Sequence, residues 1–177
     1  MVFEGNSKIR RKIYQALEGL TDEEFNGKPS GGGWSPKQIL EHLTLMETYI
    51  ATKILREMKN PDSLRASKKL ILLASDRVVN VNLPEQTHPT DHYKTIADLK
   101  EELHNSRIYL LDVYDASCKD ALRDKSFAHP NYGHLPLIQW FPFIGLYEKC
   151  HLKRLRKTID ELKMENRPFE PVGGRND

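Results

Sequence analysis

The seven histidines, His42, His88, His92, His104, His129, His134 and His151, are the residues of this chain best suited to chemistry. An imidazole can donate or accept a hydrogen bond, carry a proton near neutral pH, or ligate a divalent metal. Two of them fall in apolar, helically periodic segments. His42 lies beside Ile39, Leu43 and Met46, and His151 shares a stripe with Tyr147 and Leu155. A polar ring buried on such a face is costly unless it is bonded. Its partner is a hydroxyl, a backbone carbonyl or a metal ion, and spacing alone leaves these open. Cys150 adjoins His151, but adjacent helical residues do not share a face, so a small packed thiol is expected rather than a Cys–His nucleophile. Gly31-Gly32-Gly33 lacks the lysine and following Ser/Thr of a phosphate loop and reads as a flexible connection. Lys149, Lys153, Arg154, Arg156 and Lys157 form a basic helix end, which the helix dipole favours without any ligand.

The elements that must hold these residues are helices. No internal repeat is found. A first stripe, Ile9, Ile13, Ala16, Leu17 and Leu20, predicts a helix from about Ser7 to Leu20. The polar, Gly-rich run from Thr21 to Gly33 breaks it. Ser35, Pro36 and Gln38 then make a capping box with proline in the first turn. The helix they open carries Ile39, Leu43, Met46, Ile50 and Ile54 inward and should stop near Asn60-Pro61. Between Ser63 and Pro84 a short helix over Leu70–Leu73 is expected, then coil around Val78, Val79 and Val81. A loop from Pro84 to His92 leads to a third helix, capped by Thr95, with Leu99, Leu103, Leu110 and Val113 inward as far as Asp115. His104 flanks that stripe and should face solvent. Lys119 to Gly133 reads as a polar loop. The fourth helix opens at Pro136 and runs to about Lys163, with Trp140, Ile144, Tyr147, His151 and Leu155 on one face and Pro142 in its second turn. Four amphipathic stripes and no strand pattern predict an all-α bundle over residues 1–165, with a loosely ordered tail over 166–177. Its buried set should include Ile39, Leu43, Met46, Leu99, Leu103, Leu110, Trp140 and Ile144.

Composition agrees with one domain of this kind. The chain has 177 residues, with 27 basic and 25 acidic side chains for a net charge of +2, which argues against a dedicated nucleic-acid binder. No apolar run approaches a membrane span, and no secretory leader is visible, so a cytoplasmic protein is expected. Two cysteines, Cys118 and Cys150, argue against a disulfide framework.

Three segments carry a resemblance. Trp34-Ser35 followed by His42-Leu43 is similar to the W-S-x-x-x-x-x-x-H-L opening of the second helix in the DinB-like superfamily. His129-Pro130, Gly133 and Gln139-Trp140 resemble its H-P-x-x-G-x-x-x-x-x-Q-W approach to the last helix. Tyr147-Glu148 and His151-Leu152 resemble its H-E-x-x-H-L stretch. The resemblance implies a four-helix bundle with up-down-down-up connections, and frequent homodimers. Members often hold a divalent metal through three histidines, one on the second helix and two at i, i+4 on the last. It further implies a metal-dependent hydrolase, or a transferase acting with a low-molecular-weight thiol held as thiolate on zinc or nickel. The alternative is a metal-free small-molecule-binding or stress-associated member.

On this pattern His42 and His151 match the first and last ligands, and Tyr147 stands at the middle position. A neutral phenol is a poor ligand beside imidazole. Three readings are open. Tyr147 bonds a histidine and the site is lost, or a metal binds weakly with water or a carboxylate, or another histidine completes the set. In the family topology the loop bearing His88 and His92 enters the third helix at the end where His42 sits, about 10 Å into its own helix, so either can fold over the site. His134 should lie about 25 Å along the last helix from His151, and His129 with it, which removes both as ligands.

Overall fold

The computed structural model describes residues 3–70 and 84–166. Four long helices, α1 (Glu4–Ala16), α3 (Pro36–Met58), α4 (Ile96–Ala116) and α6 (Leu137–Glu165), form the bundle. Two short helices, α2 (Asp22–Asn26) and α5 (Lys119–Asp124), lie between them, with a 3-10 turn at Glu85–Thr87 and a hairpin of β1 (Ser126–His129) and β2 (Gly133–Pro136). None of the described helices is long and apolar enough to cross a membrane.

The helix starts follow local chemistry. Ser35 caps α3 and Thr95 caps α4, each through a reciprocal capping box with Gln38 and Asp98. Thr21 and Glu24 build a third box that opens α2 inside the run expected to be irregular, and Phe25 from that helix is fully buried. The first helix begins at Glu4 rather than Ser7 and ends at Ala16 rather than Leu20, with Gly19 in the left-handed region just beyond it at φ +80°. Lys119 to Gly133 is likewise not a plain polar loop. It folds as α5 and the first strand of the hairpin, whose register pairs Phe127 with Leu135 and His129 with Gly133. His134 therefore belongs to β2 and not to the last helix, which starts at Leu137. The short helix expected at Leu70–Leu73, apart from Leu70 itself, and the coil at Val78, Val79 and Val81 lie outside the described residues, as does all but Asn166 of the expected tail.

Contacts fix the helix directions. Asn6 and Arg10 on α1 meet Phe141 and Glu148 on α6 in rising order, so these two helices are parallel. Lys37 on α3 meets Thr90 just before α4, and Glu47 meets Ser106 further along, so α3 and α4 are parallel too. His42 faces His151, while Tyr147 and Met46 line one cavity, so α3 runs against α6. The result is up-down-down-up. Of the residues expected in the core, Ile39, Leu43, Leu99, Leu103, Leu110, Trp140 and Ile144 are buried. Met46 is only half-buried, because it packs against the core on one side and lines a cavity on the other.

A charged cluster ties the four long helices together at mid-height. Arg10 of α1 donates from Nε to Glu148 of α6 at 2.7 Å, from Nη2 to Glu47 of α3 at 3.0 Å, and from Nη1 to the Leu103 carbonyl of α4 at 2.6 Å. Arg107 of α4 bonds both Glu47 and Glu148, and Ser106 donates to Glu47 at 2.5 Å. Burial opposes the charge of Arg10, yet Glu148 and Glu47 hold its pKa above the ordinary value. Two cations meet two carboxylates, and burial pushes the Glu148 carboxyl above its ordinary value while Arg10 and Arg107 pull it back. Close helix contact completes the register: a Cβ at Gly145 would stand 2.8 Å from Asn6 Cγ, and Asn6 donates to the Phe141 carbonyl beside Pro142 at 2.8 Å. Glu148, anchored in this cluster, sets the rotation of α6 that turns its neighbours Tyr147 and His151 toward α3.

Candidate functional site

His42, Tyr147 and His151 converge between α3 and α6. The rings of His42 and His151 are 5.1 Å apart, and the Tyr147 ring lies 5.7 Å from the first and 4.4 Å from the second. All three are buried, His42 completely. Helical spacing explains the pair on α6, since 147 and 151 are one turn apart on one face.

The hydrogen bonds assign the protons. His42 Nδ1 lies 2.6 Å from the Thr87 carbonyl oxygen, which can only accept, so Nδ1 carries the hydrogen. His42 Nε2 therefore presents a lone pair, and the Tyr147 hydroxyl donates to it at 2.5 Å. His151 Nδ1 donates to the Tyr147 carbonyl at 3.1 Å, leaving Nε2 of this ring with a lone pair and no partner among the described residues. Burial pushes the His42 pKa down to about 4 and the His151 pKa down to about 3, the latter helped by the neighbouring His42. Burial also raises the Tyr147 hydroxyl above its ordinary value. At neutral pH the cluster is thus uncharged: one imidazole with both nitrogens engaged, one protonated phenol, and one weakly basic nitrogen.

The loop before α4 does fold over this site, but it delivers a backbone carbonyl. Buried Lys37 pairs with Glu41 at 2.9 Å and donates to the Thr90 carbonyl at 2.7 Å, while Glu41 accepts from the Thr90 amide at 2.8 Å. This lock seats Thr87 on His42, and His88 and His92 remain exposed. Among the described residues no group of three His, Cys, Asp or Glu side chains could hold a metal. The donors present do not fit a catalytic metal as they stand. The lone pair of His42 is engaged by a phenol that burial keeps protonated, and the Arg154 cation acts on His42, Tyr147 and His151 alike. His104 is exposed, and Cys150 is buried and not in a disulfide, both as expected.

Tyr147 also lines a cavity of about 160 Å³, which Met46, Phe127, Trp140 and Phe143 make largely apolar. Trp140 stacks on Phe127 with ring centres 4.0 Å apart. His129 lines the same cavity. The sequence grouped it with His134, away from His151 at the start of the last helix; the hairpin instead folds β1 back along α6 and sets its ring 5.0 Å from Phe143. Burial lowers its pKa to about 4, and Nδ1 accepts from the Asn131 amide at 3.0 Å. The neutral ring therefore carries its hydrogen on Nε2. The turn residues Pro130-Asn131-Tyr132-Gly133 were the signal for this hairpin, with Gly133 supplying the left-handed residue at φ +64°.

A family model for the DinB superfamily matches residues 7–155. The chain belongs to the DinB superfamily. It is 29% identical over 158 residues to the uncharacterized protein YuaE of Bacillus subtilis (strain 168), a match that spans 89% of this chain and 96% of YuaE. Two solved structures share the fold. TT2238, described as a four-helix bundle protein, has a TM-score of 0.59 at 17% identity, covering 88% of this chain and 94% of its own. YfiT from Bacillus subtilis, described as "a probable metal-dependent hydrolase with an unusual four-helix bundle topology", has a TM-score of 0.54 at 13% identity, covering 93% and 85%. At these identities the two structures show the shared bundle alone.

Neutral buried histidines make this DinB-superfamily protein sensitive to acid. The folded pKa values of His42 and His129 (about 4) and of His151 (about 3) lie below the ordinary value of a free imidazole, about 6.5. The unfolded chain therefore binds more protons in that interval, so stability is complete above about pH 6.5 and drains as pH falls toward 4. Melting temperatures should decline already between pH 7 and pH 5, before carboxylates titrate. A flat profile over that range would contradict the assigned protonation states.

Proposed function

We propose that this DinB-superfamily protein is a metal-independent small-molecule binder, with the Tyr147–His42 hydrogen bond standing where relatives of the resembled type hold a metal. One observation carries the reading: both nitrogens of His42 are engaged, by Thr87 and by Tyr147. A metal held by the Tyr147 oxygen would have to displace its proton, which burial disfavours. Tyr147 meanwhile lines the apolar cavity, so the same residue that closes the polar cluster shapes a space for a ligand.

Elemental analysis of protein purified without chelators tests this. The expected content of zinc, nickel and other transition metals is far below one atom per chain. Stoichiometric metal would overturn the reading. It would support the second one, a metal-dependent hydrolase or low-molecular-weight-thiol transferase with His42 and His151 as ligands. That reading is favoured by the 5.1 Å approach of the two rings, by the unengaged Nε2 of His151, and by the fold shared with YfiT.

A further inference from the structure

The cavity beside Tyr147 has a lopsided polar lining. Among the described residues no aspartate or glutamate borders it, and one cation, Lys53 of α3, does. Lys53 is half-buried and makes no ion pair among the described residues. His129 is only 6% exposed, and its Nε2–H, fixed by the Asn131 amide on the other nitrogen, has no acceptor among the described residues. That N–H is open to a ligand or water that can accept from it, and the Trp140 Nε1–H in the same wall is buried with no partner among the described residues. The other walls are aromatic or aliphatic, chiefly Met46, Ile50, Phe127, Trp140 and Phe143. The cavity's 160 Å³ is close to the size of an apolar cavity that takes a single benzene, about 150 Å³.

Size, wall chemistry and charge select one class of occupant. We propose that this cavity binds a small one-ring carboxylate, its ring against Trp140, Phe143 and Met46 and its carboxylate received by the Lys53 ammonium and the His129 Nε2–H. The ring contributes apolar burial and aromatic contact. The carboxylate answers at once a cation and a donor that have no partner among the described residues, and charge-assisted bonds of this kind are the strong ones. A one-ring amine would set a second cation beside Lys53 and meet no carboxylate among the described residues of the wall. This deepens the small-molecule reading above and rests on it.

Calorimetric titration of the full-length protein at pH 7.5 with benzoate, its neutral isostere benzamide, and benzylamine separates the two claims. Benzoate is expected to bind at least tenfold more tightly than benzamide, and benzylamine should give no saturable heat. Lys53→Met should bring benzoate down to the affinity of benzamide and leave benzamide unchanged. His129→Phe, which keeps an aromatic wall but removes the donor, should weaken both. If benzamide binds as tightly as benzoate, or if Lys53→Met leaves benzoate unaffected, the carboxylate assignment is overturned while the cavity stands as a ligand site. If neither compound binds the natural protein, the carboxylate assignment and the small-molecule reading fall together.

Discussion

Glu47→Ala is expected to destabilise the protein by about 3–5 kcal/mol, the usual cost of removing one partner from a buried ion pair. Glu47 is 1% exposed and accepts from Arg10, Ser106 and Arg107. Removing it leaves two guanidinium groups in the interior facing Glu148 alone. Glu148 cannot compensate in charge: one carboxylate, whose Oε1 already takes both arginines, is left to balance two cations. For a chain of this length each kcal/mol corresponds to about 2–4 °C in melting temperature, so a fall of about 6–20 °C is expected. The control is Glu4→Ala, which removes an exposed i, i+4 pair with Lys8 at 3.4 Å and should change stability by less than about 0.5 kcal/mol. Thermal and urea denaturation of both variants measure the contrast. A loss below about 1 kcal/mol for Glu47→Ala would mean that water reaches the cluster or that the arginines swing out to solvent.

That cluster also marks where sequence reading stops. The helices were legible because their signals are local: Ser35-Pro36 with Gln38, Thr95, and apolar residues at helical spacing. His42 and the Tyr147/His151 pair were legible because each lies on such a stripe and matches a motif of the superfamily. Arg10, Glu47 and Glu148 carry no comparable sign. In sequence they look like the solvated charges of any amphipathic helix, and only the packing of four helices brings them together. Thr87 was hidden for a related reason. It acts through its carbonyl, which every residue possesses, and it reaches His42 only because Lys37 and Glu41 hold Thr90. The hairpin was missed because four-residue strands are too short for alternation to register, and with it the place of His129 in the cavity wall.

Tyr147→His is expected to convert the polar cluster into a metal site, with zinc or nickel affinity rising by at least a hundredfold over the natural protein. The change acts in two ways. It removes the hydroxyl that donates to His42 Nε2 at 2.5 Å, so that lone pair is released. It also places a third imidazole one turn before His151 on the same face of α6. Neutral His42 and His151 need lose no proton to ligate, because burial already holds their pKa values at about 4 and 3. Three nitrogens and one open position are the usual supply of a catalytic zinc centre. Tyr147→Phe divides the two contributions: it frees His42 without adding a ligand, so its affinity should fall between those of the natural protein and Tyr147→His. The same variant leaves a buried acceptor unmatched and should lose about 1–3 kcal/mol of stability, whereas Tyr147→His should recover stability when metal is added. Calorimetric titration with each metal, paired with melting curves with and without it, reads both quantities. Equal affinities in all three proteins would show that the phenol does not guard His42. Tight binding by the natural protein alone would make the Tyr147 oxygen itself a ligand.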